Sequence, residues 1–91
     1  MKVLSIIVSY NFEPWLHKCL DSLFSSRYPT DVIVIDNASQ DRTVQMIREK
    51  FPLVTLVESK ENLGFGKANN IGFDHALQPG YAFVFLINQD A

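Results

Sequence analysis

The sequence is short of cysteine, of surplus charge and of long apolar runs, and each shortage excludes a class of protein. Its one cysteine, Cys19, rules out an internal disulfide and fits a reducing compartment. Eight basic and ten acidic residues leave a formal net charge of −2. Lys2, Lys18, Arg27, Arg42, Arg48, Lys50, Lys60 and Lys67 are scattered along the chain. No basic stripe forms, so nucleic acid is not an expected partner. No run approaches the roughly 20 apolar residues that cross a bilayer. The apolar stretch Val3 to Val8 is too short for a secretion signal, is interrupted by Ser5, and lacks a small-residue cleavage site after it. The chain shows no linker, internal repeat or low-complexity segment, and with its lone cysteine and no signal pattern a cytoplasmic protein is expected.

What remains is a chain of 91 residues, 47% hydrophobic and 20% charged, suited to one small domain. Four runs rich in branched and aromatic residues recur: Val3–Val8, Val32–Ile35, Leu53–Val57 and Phe83–Ile87. Three are nearly continuous rather than alternating, as in strands covered on both faces. Helix-length segments separate them. The first opens at Glu13-Pro14, carries Leu16, Leu20, Leu23 and Phe24, and ends before Pro29. The second is expected to start near Ser39 or Asp41, with Val44, Ile47 and Phe51 as its apolar stripe and Pro52 as its stop. The third follows the glycines of NLGFGKANN and shows Ala68, Ile71, Ala76 and Leu77 before Pro79-Gly80.

This alternation predicts a three-layer α/β/α, Rossmann-like domain with a mostly parallel sheet. Right-handed crossovers carry strands two and three to one side of strand one, and a fourth strand on the other side gives the order 3-2-1-4. Ligands of such sheets bind beyond the carboxyl ends of the strands, at the switch point. Ser9-Tyr10-Asn11, Asp36-Asn37, Asn88 and Asp90 all fall at those ends.

Asp36 can be a loop carboxylate that helps cap the next helix, or a fixed acceptor for a ligand N–H or hydroxyl. Asp90, just past an apolar strand, needs solvent or a cation, and a hard divalent ion held with waters and a diphosphate would suit it. NLGFGKANN is no dinucleotide fingerprint, because Asn69 stands where the third glycine would be. Its glycines either permit a tight turn or leave a helix N-terminus open to an anion. His17 and His75 lack metal-ligand spacing, and Cys19 reads as packing rather than as a nucleophile. Tyr10 and Trp15 could stack on a base or sugar or pack in the core.

Taken in order, IIVSYN, CLDSL, VIVIDNASQDRT, ENLGFGKANNIGF and FLINQDA resemble the nucleotide-sugar-binding half of family 2 glycosyltransferases with the GT-A fold, rhamnosyltransferase-like members above all. The resemblance spans essentially the whole chain. It implies an inverting, metal-assisted transfer of a sugar from a UDP- or dTDP-linked donor to the hydroxyl of a glycan or lipid-linked acceptor. Ser9, Tyr10 and Asn11 would lie around the base, and Asp36 would accept from its N3–H. Asn62, Gly64, Gly66 and Asn69 would shape the wall beside ribose and diphosphate. Asn88-Gln89-Asp90 takes the place of the family's Asp-x-Asp motif, which leaves Asp90 as the residue for Mn²⁺ or Mg²⁺ and Asn88 for the ribose. No residue corresponds to the family's general base, which is expected beyond residue 91 together with the acceptor site, as in a truncated domain. A parent enzyme of this kind could sit peripherally on the inner membrane face. The competing reading is a non-catalytic nucleotide-binding or interaction module. A strand Phe83–Ile87 left at the sheet edge would favour dimerisation.

Overall fold

Two opposite apolar faces on one strand require cover on both sides, and the first strand has them. The computed structural model describes residues 2–11, 13–27, 29–77 and 80–88, and at 65 and 88 the backbone alone. Its elements alternate as β1 (Lys2–Ser9), α1 (Glu13–Phe24), β2 (Asp31–Asn37), α2 (Thr43–Lys50), β3 (Thr55–Ser59), α3 (Gly64–Ala76) and β4 (Tyr81–Asn88). The four strands form one sheet in the order β3-β2-β1-β4, and each neighbouring pair is parallel. Order and layering are those expected from the sequence.

Alternate residues of β1 and β2 serve different layers. Ile7, Val32 and Val34 pack with Leu16 and Leu20 of α1 and with Met46 and Ile47 of α2, closed by Phe51. Leu4, Ile6, Val8, Ile33 and Ile35 meet Ala68 of α3 on the other face. Both central strands are therefore buried on two sides, which is why their sequences run apolar without alternation. Ser5 is a polar exception in the middle of β1. It is 2% exposed and shares a hydrogen bond of 3.0 Å with the Thr30 hydroxyl, which removes the cost of burying it.

Several local expectations shift. α2 begins at Thr43, after the chain turns through a left-handed Ala38 (φ 59°), so neither Ser39 nor Asp41 starts the helix. Its buried face is Thr43, Met46 and Ile47, whereas Val44 is only half-buried. The third strand starts two residues later than its apolar run, because Pro52 opens a turn that leaves Leu53 82% exposed. Leu77, expected on the inner stripe of the third helix, lies just past its end and is also 82% exposed. Inside α3 the closest approach is instead made by Gly72, where an added Cβ would stand 2.5 Å from Ile6 Cγ2.

Candidate functional site

Register brings the strand ends to one rim. Val8 of β1 lies opposite Asn88 of β4, and Ser9 lies opposite Asp36 of β2. The carboxyl ends of β2, β1 and β4 therefore sit side by side, as the switch-point argument requires. Asp90 lies outside the described residues, as does the side chain of Asn88. Gly80 to Asn88 nevertheless deliver the chain to the rim that carries Asp36.

Asp36 is the best-held polar group there. It is 2% exposed, and three donors of the chain reach its carboxylate. The Ser9 hydroxyl donates to Oδ1 at 2.9 Å, the Ser39 hydroxyl to the same oxygen at 2.5 Å, and the Ser39 backbone N–H to Oδ2 at 2.9 Å. Hydrogen bonds of this kind offset the cost of burying an ionised carboxylate without a cation beside it. Asp36 thus braces its own turn through Ser39 rather than capping α2, and it stands at the rim as an acceptor-only group.

Asn11 adopts a left-handed conformation (φ 48°), a region that asparagine tolerates better than most residues. There its backbone N–H donates to the Ser39 hydroxyl at 3.0 Å, and its side-chain oxygen accepts from the Gln40 N–H at 2.6 Å. The loops after β1 and β2 are thereby clasped together. Asp41 adds a second tie, accepting from the Thr43 backbone N–H at 2.9 Å, from the Thr43 hydroxyl, and from the Glu13 N–H at 3.4 Å. Burial by itself would raise the Asp41 carboxyl, but the hydrogen bonds from Thr43 and Glu13 outweigh it and hold the group below its ordinary value of 3.8.

On the other side of Asp36, Asn37 is 4% exposed and accepts the Leu63 backbone N–H through Oδ1 at 3.2 Å. Asn62 accepts the Gly64 N–H at 2.9 Å. These two asparagines set the N-terminus of α3 against the end of β2. Gly64 takes φ 79°, the positive value that the turn reading anticipated. Gly66 does not: its φ is ordinary, and a Cβ there would meet nothing within 4 Å. Asn69 is 5% exposed, one turn further into α3.

The structure therefore gathers Ser9, Asn11 and Asp36 into one hydrogen-bonded cluster and anchors Asn62 and Gly64 beside it. Tyr10 is 41% exposed at the same strand end. The reading of the sequence missed two contributors. Ser39 was expected as a helix cap and instead bridges Asp36 to Asn11, and Asn37 was noted only as a polar strand-end residue. A serine three positions after a strand-end aspartate is the available signal, since that spacing closes a side-chain turn on the backbone N–H. The remaining candidates stay outside the site. Burial pushes up the thiol of Cys19, which lies on α1 and packs against the core on that face of the sheet. His17 pairs with Asp21 at 3.2 Å and meets the Phe51 ring edge-on.

Comparison with known proteins gives this geometry a context. The chain is 36% identical over 66 residues to the N-acetylglucosaminyl-diphospho-decaprenol L-rhamnosyltransferase of Mycobacterium tuberculosis, a match covering 71% of this chain and 22% of that protein. The mannosyltransferase PcManGT from Pyrobaculum calidifontis, solved with GDP-Man and Mn²⁺, superposes with a TM-score of 0.74 at 34% identity, over 81% of this chain and 24% of that one. Staphylococcus aureus TarS 1-349 in complex with UDP superposes with a TM-score of 0.83 at 26% identity, over 99% of this chain and 28% of that one. The chain thus spans under a third of the length of each of these three proteins. The family model for glycosyl transferase family 2 matches residues 5–91, from within β1 through the rim, and by that match together with its GT-A-like sheet the chain belongs to this family.

Proposed function

We propose that this chain is the donor-binding part of an inverting glycosyltransferase, which moves a sugar from a UDP- or dTDP-linked donor to the hydroxyl of a glycan or lipid-linked acceptor. The observation that carries the reading is the buried, hydrogen-bonded Asp36 at the switch-point rim of a family 2 chain. Uracil and thymine offer an N3–H to an acceptor-only carboxylate, whereas cytosine presents a bare acceptor nitrogen there. Ser9, Tyr10 and Asn11 surround that base in this reading. The first turn of α3, with Asn62, Gly64, Gly66 and Asn69, forms the wall beside ribose and diphosphate, and Asn88 meets the ribose.

Among the described residues, no three His, Cys, Asp or Glu side chains gather closely enough to hold a metal ion. In this reading Asp90, outside the described residues, would hold Mn²⁺ or Mg²⁺ together with waters and the donor's own diphosphate. Such an ion neutralises charge on the departing nucleoside diphosphate. The chain's own residues bind and orient the donor, while the general base belongs to the acceptor-binding part of the parent enzyme. No helix among the described residues is long and apolar enough to cross a membrane, and the proposed place of the parent enzyme is the cytoplasm or the inner membrane face.

Titration calorimetry with UDP, dTDP and GDP, with and without Mn²⁺, tests the reading. Binding of a uracil or thymine nucleotide, strengthened by metal and lost in Asp36→Ala, is expected. A folded chain that binds none of them, or an Asp36→Ala chain that binds as well as the parent, rejects the assignment.

A further inference from the structure

The donors around Asp36 are not shared evenly between its two oxygens. Oδ1 receives two hydroxyls, from Ser9 and Ser39, at 2.9 and 2.5 Å. Oδ2 receives one hydrogen bond among the described residues, the Ser39 backbone N–H at 2.9 Å. An ionised carboxylate offers about four lone-pair sites, roughly two to each oxygen. Oδ1 is therefore filled, and the remaining capacity of the group lies on Oδ2.

The Ser39 hydroxyl cannot turn away from this task. It accepts the Asn11 backbone N–H at 3.0 Å, so its only proton points to Asp36. The chain N–H of Asn11, hydroxyl of Ser39, carboxylate of Asp36 runs in one direction, and hydrogen bonds in such a series polarise one another. Ser9, 1% exposed on β1, fixes the same oxygen from the strand side. The clasp of Asn11 Oδ1 on the Gln40 N–H at 2.6 Å keeps the two loops at the distance that the series needs.

We propose that Ser39 is a positioning residue for base recognition: by occupying Oδ1 of Asp36 it turns Oδ2 toward the nucleotide and makes the site selective for bases that present an N–H. The proposal rests on the donor-site reading above and adds the residue that sets its specificity. Ser39 does not touch the base in this account and acts only through Asp36.

The test measures calorimetric affinities for UDP and CDP with the full chain and with Ser39→Ala and Ser39→Thr, alongside their thermal unfolding. A hydrogen bond to a charged acceptor corresponds to about a tenfold to hundredfold preference of the parent chain for UDP over CDP. In Ser39→Ala that ratio falls toward one, and in Ser39→Thr, which keeps the hydroxyl, it returns. A merely structural serine would lower the melting temperature and both affinities alike while leaving the ratio intact, and that result overturns the proposal alone. A folded parent chain with no preference for UDP overturns the donor-site reading and this proposal with it.

Discussion

Asp36, at the end of β2, and Asp41, five positions on in the loop that follows, do different work. Asp36 is buried and turned to the rim, whereas Asp41 is exposed and ties the start of α2 to the start of α1. Because hydrogen bonding holds the Asp41 carboxyl below 3.8 in the folded chain, its contribution to stability is present above that value. It is lost as pH falls through the lowered, folded-state value. Asp41→Asn, which keeps an acceptor oxygen for Thr43 but removes the charge, should be less stable than the parent at neutral pH. The difference between the two should vanish in strong acid, and denaturation midpoints of both chains across that range check it. A constant difference at every pH would show that the charge contributes nothing. At this scale the sequence revealed which residues reach the rim and concealed how they bond to one another. Ser9 and Asp36 directly follow apolar runs and Asn11 comes two residues after Ser9, so all three can be placed by counting. The link through Ser39 depends on the left-handed turns at Asn11 and Ala38, and although asparagine favours such a turn, no propensity foretells one at an alanine.

Elements were legible in kind and order, and their edges were not. Pro14 and Pro52 punctuate the chain where helices start or stop, because proline lacks the N–H that a helix interior needs, whereas α1 ends at Phe24, five residues before Pro29. The buried stripe of α2 was right at Ile47 and Phe51 and wrong only at Val44, which is apolar where Thr43 is not. Yet Thr43 is fully buried, with its hydroxyl bound to Asp41, so a satisfied polar group takes the inner position. α3 carries two glycines with opposite expected behaviour. Gly72→Ala puts a Cβ 2.5 Å from Cγ2 of the fully buried, β-branched Ile6, which has no room to move. Overpacking of that kind should cost about 1–3 kcal/mol in chemical denaturation. Gly66→Ala meets nothing within 4 Å and removes a weak helix former, so stability should rise by up to about 1 kcal/mol. If the first turn of α3 is the wall beside the diphosphate, the same variant should bind nucleotide more weakly. A stabilised Gly66→Ala chain with unchanged affinity would remove Gly66 from the site.

At the scale of the molecule, the sheet is asymmetric. β1 and β2 are covered on both faces, while β4 stands at the edge with Phe83, Val84, Phe85 and Leu86 between 37% and 56% exposed. Phe83 and Phe85 line one side of an open apolar groove of about 420 Å³, completed by Val3 and Leu23 among others. The apolar run in β4 thus predicted a strand correctly, but a strand covered on two faces only if more protein lies against it. Exposed edges of this composition pair with other chains. The chain should therefore associate as concentration rises, and Phe85→Lys should suppress the association. Light scattering that shows a monodisperse monomer at high concentration would contradict the prediction. The central claim is nonetheless about the rim, where residues distant in sequence meet beyond the carboxyl ends of three parallel strands. The most direct test is a crystal structure of the chain soaked with UDP and Mn²⁺. The account predicts the uracil N3 at hydrogen-bond distance, about 2.7–3.2 Å, from Oδ2 of Asp36. A nucleotide bound elsewhere, with Asp36 still enclosed by Ser9 and Ser39 alone, would contradict it.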